Sequence, residues 1–212
     1  KKHKCKKIIF AGKVGRPNFL KTKFDLKALY YLPKVIKELK KGETFVIKEI
    51  IKIFQKEGLK IINQTFFNPE LLLKKGTFTK IKPDSSSKKD MVIAKNIIND
   101  LKNYKGGQAT VVRNGNVIVV EDHRGTDFML GRANKILNRL SQINKKQGIL
   151  LKFPKQNQDL RIDLPTVGIN TIKKCAKIGI RGVVVKANQN IFLDRSKCIN
   201  LANKNKMFIC AL

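Results

Sequence analysis

The stretch from Lys152 to Gly168, KFPKQNQDLRIDLPTVG, sets the strongest limit on the possible folds of this chain. An apolar run at residues 149–153 predicts a buried strand, and an apolar helical pattern begins at Ile169. Pro165 and Gly168 interrupt regular structure between the two. A strand, a charged loop and a helix start are typical of phosphate sites in α/β proteins, because backbone N–H groups and the positive end of the helix face the ligand.

The loop inside this stretch carries charges of both signs. Asp159 and Asp163 supply carboxylates, and the cations are Lys152, Lys155 and Arg161. Two carboxylates beside three cations can hold a divalent cation and a phosphate together. A solvated loop with incidental ion pairs is the alternative, and the residues alone leave both interpretations open.

Composition limits the class of protein. A chain of 212 residues can bury one good core or two small ones, and its hydrophobic content of 42% is ordinary for a globular protein. No apolar run is long enough to span a bilayer, and the basic start lacks the apolar stretch of a signal peptide.

The net charge of +31 raises the question of an anionic partner. The cations are 38 Lys and only eight Arg, spread along the whole chain, whereas bidentate recognition of phosphates and bases favours Arg. We therefore expect no nucleic-acid partner and consider electrostatic attraction to an anionic membrane surface more plausible. The four cysteines show no CxxC spacing, so the pattern predicts reduced thiols. Cys175, Cys198 and Cys210 lie on apolar faces and are predicted to be small core residues.

The N-terminal part predicts alternating strands and helices. A short strand at Ile8–Ala11 leads to Gly12, and Lys13 and Arg16 follow at the carboxyl end of that strand, where open α/β sheets bind ligands. A tight solvated turn is the alternative interpretation. Pro33 suits the first position of a helix, and a second helix is predicted over Glu43–Glu57.

Residues 76–89 predict the domain boundary. Pro83, Asp84 and the serines at 85–87 are poor builders of regular structure, so we place an N-terminal domain at 1–80, a linker at 81–89 and a C-terminal catalytic domain at 90–212.

The C-terminal domain is predicted to open with a helix and a β-hairpin. Asn114-Gly115 is a strong type I′ turn signal between two apolar runs. Gln108 precedes the first strand, and an acidic pair, Glu121 and Asp122, ends the second. Thr126 or Asp127 is suited to cap the helix that follows.

Three separated motifs carry a resemblance that covers nearly the whole chain: QDLRIDLPTVG, the upstream GTDFML and AGKVGRPNF near the start. With Gly107-Gln108 before a strand, they resemble the LpxI family of UDP-2,3-diacylglucosamine pyrophosphatases. The family motif EGTD has Arg124 in place of its acidic residue here. The resemblance implies an α/β fold, in which an incomplete Rossmann-like N-terminal domain, lacking a first strand–helix segment, precedes a mixed α/β C-terminal domain.

The resemblance also implies an activity: Mg²⁺-dependent hydrolysis of UDP-2,3-diacylglucosamine to UMP and 2,3-diacylglucosamine 1-phosphate in lipid A biosynthesis. We then expect a cytoplasmic protein of a Gram-negative bacterium, peripheral at the inner membrane, in transient contact with its anionic surface. The alternatives are a basic nucleic-acid or membrane-surface binding module without catalysis, and an inactive fragment of the enzyme.

Site residues follow from the resemblance together with the charges of the central loop. Asp163 is predicted to be catalytic and, with Asp159 and Asp127, to bind the metal. The predicted substrate-binding residues are Lys13, Arg16, Gln108, Thr126, Lys152, Lys155, Gln158, Arg161 and Thr166.

Overall fold

The chain folds as two compact units. A computed structural model describes residues 4–12, 23–100, 107–140, 146–155 and 158–212. Unit 1 consists of Lys1–Asn68 and Asn157–Asp163, and unit 2 consists of Pro69–Gln156 and Leu164–Leu212. The mixed α/β class with two domains is confirmed, but the boundary lies near residue 68, not at 80, and part of the charged loop belongs to unit 1.

Residues 85–89 of the expected linker at 81–89 are instead the beginning of a helix. Helix α3 spans Ser85–Asp100, and the short strand β3 lies just upstream at Gly76–Thr77. Asp84 Oδ1 accepts the backbone N–H of Ser87 at 2.8 Å, which caps the helix and lowers the pKa of that carboxyl. Serines that disfavour a helix interior are well suited to a capped first turn, and this explains the error.

The described part of unit 1 contains two parallel strands and two helices between them. Strand β1 (Lys7–Ile8) pairs with β2 (Lys60–Ile61), and helices α1 (Leu26–Leu39) and α2 (Glu43–Lys56) connect them. Pro33 lies inside α1 and not at its start, so the expected helix start was wrong. Packing of α1 against α2 outweighs the hydrogen bond that proline removes.

Unit 2 is built on a mixed sheet. Its described strands follow the order β3-β10-β8-β6-β4-β5, in which β10, β8 and β6 are parallel and β4 is antiparallel to both β6 and β5. Their bounds are β4 Ala109–Arg113, β5 Asn116–Val120, β6 Ile149–Lys152, β8 Gly182–Val185 and β10 Phe208–Ala211. Asn114 and Gly115 both have positive φ, 50° and 80°, which confirms the predicted hairpin turn.

Helices cover both faces of this sheet. Helix α3 packs on one face against Ile149 and Leu151, and the helices on the other face pack against Leu150. The remaining elements are α4 Thr126–Arg139, β7 Thr166–Val167, α5 Ile169–Lys177, β9 Ile191–Phe192, α6 Arg195–Lys204 and a 3₁₀ turn at Pro69–Leu71. Because strand side chains alternate, residues 149–151 serve both cores.

The cysteines of unit 2 confirm the prediction of small core residues. Cys175, Cys198 and Cys210 are buried, and burial raises the pKa of the Cys175 thiol to about 12. Among the described helices, none combines the length and apolar character that crossing a membrane requires.

The strand pairing places three polar residues together at one edge of the sheet. Strand β6 ends at Lys152, whose register partner Ala109 begins β4, and Thr110 of β4 pairs with Val120 at the end of β5. Gln108, Glu121 and Lys152 therefore lie at the same edge, at the carboxyl end of the parallel strands.

Candidate active site

Lys152 is a buried cation at this edge. Only 8% of the residue is exposed, and its ammonium donates hydrogen bonds to Thr126 Oγ1 at 2.9 Å and to the carbonyl oxygen of Thr166 at 3.0 Å. The side chain amide of Asn190 donates to the carbonyl of Lys152 at 3.1 Å and so fixes its backbone. The structure thus brings together Lys152, Thr126 and Thr166, three of the predicted substrate-binding residues.

Glu121 is a buried carboxylate beside this group. It is 6% exposed, and it accepts the backbone N–H of Gln108 at 2.6 Å and the hydroxyl of Thr126. The Thr126 hydroxyl therefore connects the ammonium of Lys152 to the carboxylate of Glu121. Sequence reasoning noted an acidic pair at the end of β5 and assigned no role to Glu121. The signal was its position directly after a buried strand.

Gln108 and the glycine before it explain one motif. Gly107 approaches Glu121 so closely that a Cβ at residue 107 would lie 2.3 Å from the Glu121 Cβ. Only glycine permits this approach, which lets the N–H of Gln108 reach the carboxylate. The side chain oxygen of Gln108 is buried and has no hydrogen-bond partner among the described residues, so it can accept a hydrogen bond from a ligand.

The predicted caps of α4 were wrong. The helix begins after Gly125, which has φ of 88°, and no side chain caps it. The hydroxyl of Thr126 bonds to Glu121 instead. Asp127, a predicted metal ligand, is 72% exposed in its side chain and pairs with the ammonium of Lys174 at 2.7 Å.

Arg124, which stands where the family motif has an acid, has its charge offset locally. Its Nε donates to both carboxylate oxygens of Asp122 at 3.1 Å, and its guanidinium lies 3.8 Å from the ring centroid of Phe128. These hydrogen bonds hold the pKa of Asp122 well below its usual range. Arg132 Nη1 also lies 3.6 Å from the carboxylate, so Asp122 pairs with two arginines beside Thr126.

The second group of predicted residues forms a turn in unit 1. Asp159 accepts from Arg161 three times, from the backbone N–H at 3.0 Å, from Nε at 3.0 Å and from Nη2 at 2.7 Å. These bonds lower the pKa of Asp159 and raise that of Arg161. The carbonyl of Asp159 also accepts the N–H of Asp163 at 3.0 Å, which closes the turn.

Gln64 holds this turn in place, and no sequence pattern indicated that role. Its backbone N–H donates to the carbonyl of Arg161 at 2.9 Å, and its side chain amide donates to the carbonyls of Ile162 and Phe10, both at 2.8 Å. Ile162 is 98 positions away in the chain. A contact over that separation leaves no mark on local sequence patterns.

Four predicted substrate-binding residues remain to be placed. Lys155 is exposed and Gln158 is half-buried. Lys13 and Arg16 lie outside the described residues.

Comparison with known proteins agrees with the resemblance. The model of the LpxI C-terminal domain matches residues 74–210, and the model of the LpxI N-terminal domain matches residues 1–71. UDP-2,3-diacylglucosamine pyrophosphatase LpxI of Caulobacter vibrioides is 32% identical over 206 residues, which are 97% of this chain and 74% of the relative. The chain belongs to the LpxI family. This membership favours an enzyme over a binding module without catalysis.

A metal site for an LpxI-family enzyme can be examined against these contacts. Within the described ranges, no group of three His, Cys, Asp or Glu side chains could hold a metal ion. Asp159 is engaged by Arg161 and Asp127 by Lys174, and among these residues the carboxylate of Asp163 has no ion pair. Mg²⁺ is commonly held by one or two carboxylates together with substrate phosphates and water, so Asp163 fits as a single protein ligand.

Proposed function

We propose that this chain hydrolyses the diphosphate bond of UDP-2,3-diacylglucosamine to give UMP and 2,3-diacylglucosamine 1-phosphate, a step of lipid A biosynthesis. Its class, a hydrolase acting on a diphosphate bond, follows from family membership. The observation in the chain itself that best supports the proposal is the ammonium of Lys152, buried at the carboxyl edge of the sheet. Burying a cation is costly, and anion binding gives a reason to keep it there.

The reaction needs a water molecule and a means of removing its proton. The water oxygen forms a bond to one phosphorus, and the bond from that phosphorus to the bridging oxygen breaks. The electron pair leaves with the other phosphate. We assign Asp163 to orient the water, because no side-chain cation of the described residues pairs with this carboxylate, and the proton of the water passes to solvent.

The substrate's negative charge requires cationic and polar contacts. In unit 2, Lys152 is assigned to a non-bridging phosphate oxygen, with Gln108, Thr126 and Thr166 around it. These groups are fixed before substrate arrives, which is the condition for electrostatic stabilisation of developing charge. Further contacts are proposed for Lys13, Arg16, Lys155, Gln158 and Arg161.

Magnesium is part of the proposal. Asp163 would hold it together with phosphate oxygens of the substrate. Asp159 is paired with Arg161 and Asp127 with Lys174, so neither carboxylate is assigned to the ion. When bound, the ion would neutralise charge on the diphosphate and make its phosphorus more electrophilic.

The direct test measures UMP release from UDP-2,3-diacylglucosamine by the purified chain with Mg²⁺ present. We expect turnover that EDTA removes and excess Mg²⁺ restores. Absence of UMP release would contradict the proposed reaction. Full activity in excess EDTA would contradict the magnesium requirement alone.

Contact with an anionic membrane is proposed from charge. The chain has a net charge of +31, and each basic residue near an anionic surface contributes about 1 kcal/mol of attraction. Sedimentation with phosphatidylglycerol vesicles should remove the protein from solution at low salt, and phosphatidylcholine vesicles should leave it there. Equal behaviour with both lipids would contradict this contact.

A further inference from the structure

We propose that Glu121 is a positioning residue of the active site, acting through Thr126 on the ammonium of Lys152. The inference rests on the proposed function, since it gives a role to a residue that contacts the assigned substrate-binding groups. Glu121 bonds directly to two of them, Gln108 and Thr126, and through Thr126 to the third, Lys152.

The bonds of Glu121 differ from those of a residue that only ends a strand. Its backbone already completes the β4–β5 ladder, because its N–H donates to Ala109 at 2.8 Å and its carbonyl accepts from Gly107 at 2.9 Å. The carboxylate is not needed for that pairing. Its two oxygens bond instead to the backbone of Gln108 and to the hydroxyl of Thr126.

The carboxylate orients a hydrogen-bond chain. An ionised carboxylate only accepts hydrogen bonds, so the Thr126 hydroxyl must be the donor in its hydrogen bond to Glu121. Its lone pairs then face the ammonium of Lys152, which donates to them at 2.9 Å. In a buried position this oriented hydrogen bond is stronger than it would be at the surface, because solvent does not compete for the donor and the acceptor. Glu121 thereby sets where the cation lies.

Gly107 supports the same inference. A Cβ at residue 107 would lie 2.3 Å from the Cβ and 2.4 Å from the carbonyl oxygen of Glu121. The backbone therefore closes on Glu121 at the one place where a side chain would push it away. The close approach brings the Gln108 N–H to 2.6 Å from the carboxylate and places the partnerless Gln108 side chain oxygen at the same edge.

A matched control is available in unit 2. Asp90 is also a buried carboxylate, 1% exposed, and accepts two backbone N–H groups, from Gly115 at 2.7 Å and from Asn114 at 3.2 Å. It serves the hairpin turn at the other end of β4 and β5 and contacts none of the assigned site residues in the described structure. Asp90→Asn should therefore lower the melting temperature and leave kcat/KM within about twofold of wild type.

The experiment is a double-mutant cycle on UMP release with Glu121→Gln, Lys152→Met and the double variant. We expect Glu121→Gln to lower kcat/KM by about thirtyfold. In the Lys152→Met background the same substitution should lower kcat/KM by less than about a further threefold. A residue that acts by positioning the Lys152 ammonium has no effect once that ammonium is gone. Unchanged kcat/KM in Glu121→Gln, or the full thirtyfold loss in both backgrounds, would overturn the inference.

A second pair keeps the test decisive if Glu121→Gln does not fold. Thr126→Val removes the bridging hydroxyl while Glu121 keeps its bond to Gln108, and Thr126→Ser retains the hydroxyl. We expect a loss of kcat/KM with valine and near-normal values with serine. Equal activity of the two would overturn the inference. Wild-type chain that releases no UMP would contradict the proposed function itself and is read from the same assay.

Discussion

Unit 1 and unit 2 hold their charged residues in different ways. In unit 2 the ammonium of Lys152 and the carboxylate of Glu121 are both more than nine-tenths buried and are joined through side chains. In unit 1 the Asp159–Arg161 pair is partly exposed, with 43% of the Arg161 side chain accessible, and Gln64 fixes the turn through backbone carbonyls. Buried polar groups lose much when a partner is removed, whereas an exposed ion pair contributes little.

The loop that the sequence presents as one charged site therefore contains two kinds of position. Residues that end β6 or face it are fixed by packing. Residues 159–163 are fixed by an anchor from a distant part of unit 1. We therefore expect unit 2 to be sensitive to the chemistry of its side chains, and unit 1 to be sensitive to the loss of its anchor.

The largest effect is expected at Asp163. Replacing it by alanine should lower the rate of UMP release by about a thousandfold, because the water then lacks the carboxylate that orients it. The melting temperature should stay close to that of wild type, since the carboxylate has no ion pair within the described residues. Near-normal turnover would remove Asp163 from the mechanism. Asp127→Ala is the comparison, with a small loss expected because that carboxylate pairs with Lys174 at the surface.

Gly107→Ala should disturb the buried hydrogen-bonded group of Glu121, Thr126 and Lys152 and leave unit 1 unaffected. The added Cβ would lie 2.3 Å from Glu121, and relieving such overpacking costs about 1–3 kcal/mol. We expect a lower midpoint in urea unfolding and reduced activity. Gly131→Ala is the control, because nothing lies within 4 Å of its Cβ position in α4. That substitution should stabilise the protein by about 0.5–1 kcal/mol, and equal midpoints for both variants would contradict the crowding argument.

Gln64→Leu tests the anchor of unit 1. The leucine cannot donate to the carbonyls of Phe10 and Ile162, so the turn that carries Asp163 loses its position. We expect kcat to fall about tenfold with a smaller change in KM, as for a misplaced catalytic group. Gln55→Leu, on an exposed position of α2, should leave both unchanged. A Gln64 variant with wild-type kcat would show that the turn holds its shape unaided.

The smallest effect is expected from Arg161→Gln. It is an effect on stability, and its size depends on pH. Arg161 depresses the pKa of Asp159, so the pair stabilises the folded state above the ordinary aspartate pKa. That contribution is lost as pH falls through the depressed pKa. The variant should therefore show a smaller drop in melting temperature between about pH 6 and about pH 3. Arg139→Gln, at the exposed end of α4, should retain the wild-type pH dependence.

The fold was predictable where local chemistry decides it. Asn114-Gly115 specified the hairpin turn, and the apolar run before Lys152 specified a strand with the cation at its end. The boundary near residue 80 failed because Asp84 caps a helix that its serines alone would not predict. Pro33 failed because α1 is stabilised by packing on α2, which propensity does not include.

The candidate site was predictable in part for a similar reason. Lys152, Thr126 and Thr166 were selected individually, and the structure brings them into hydrogen-bond contact. Glu121 and Gln64 were missed because their importance lies in their partners, and those partners are distant in the chain or belong to the backbone. No periodicity marks such a residue.

The insertion of residues 157–163 into unit 1 has a practical consequence for dissecting this enzyme. The backbone passes between units at Asn68, at Gln156 and at Asp163, so no single cut separates them. A recombinant piece starting at Pro69 would contain the whole C-terminal family region yet present Asp163 on a segment deprived of Gln64 and β2. The two pieces, expressed separately, should have no activity. Mixing them should restore turnover only if the turn that carries Asp163 binds again to the rest of unit 1.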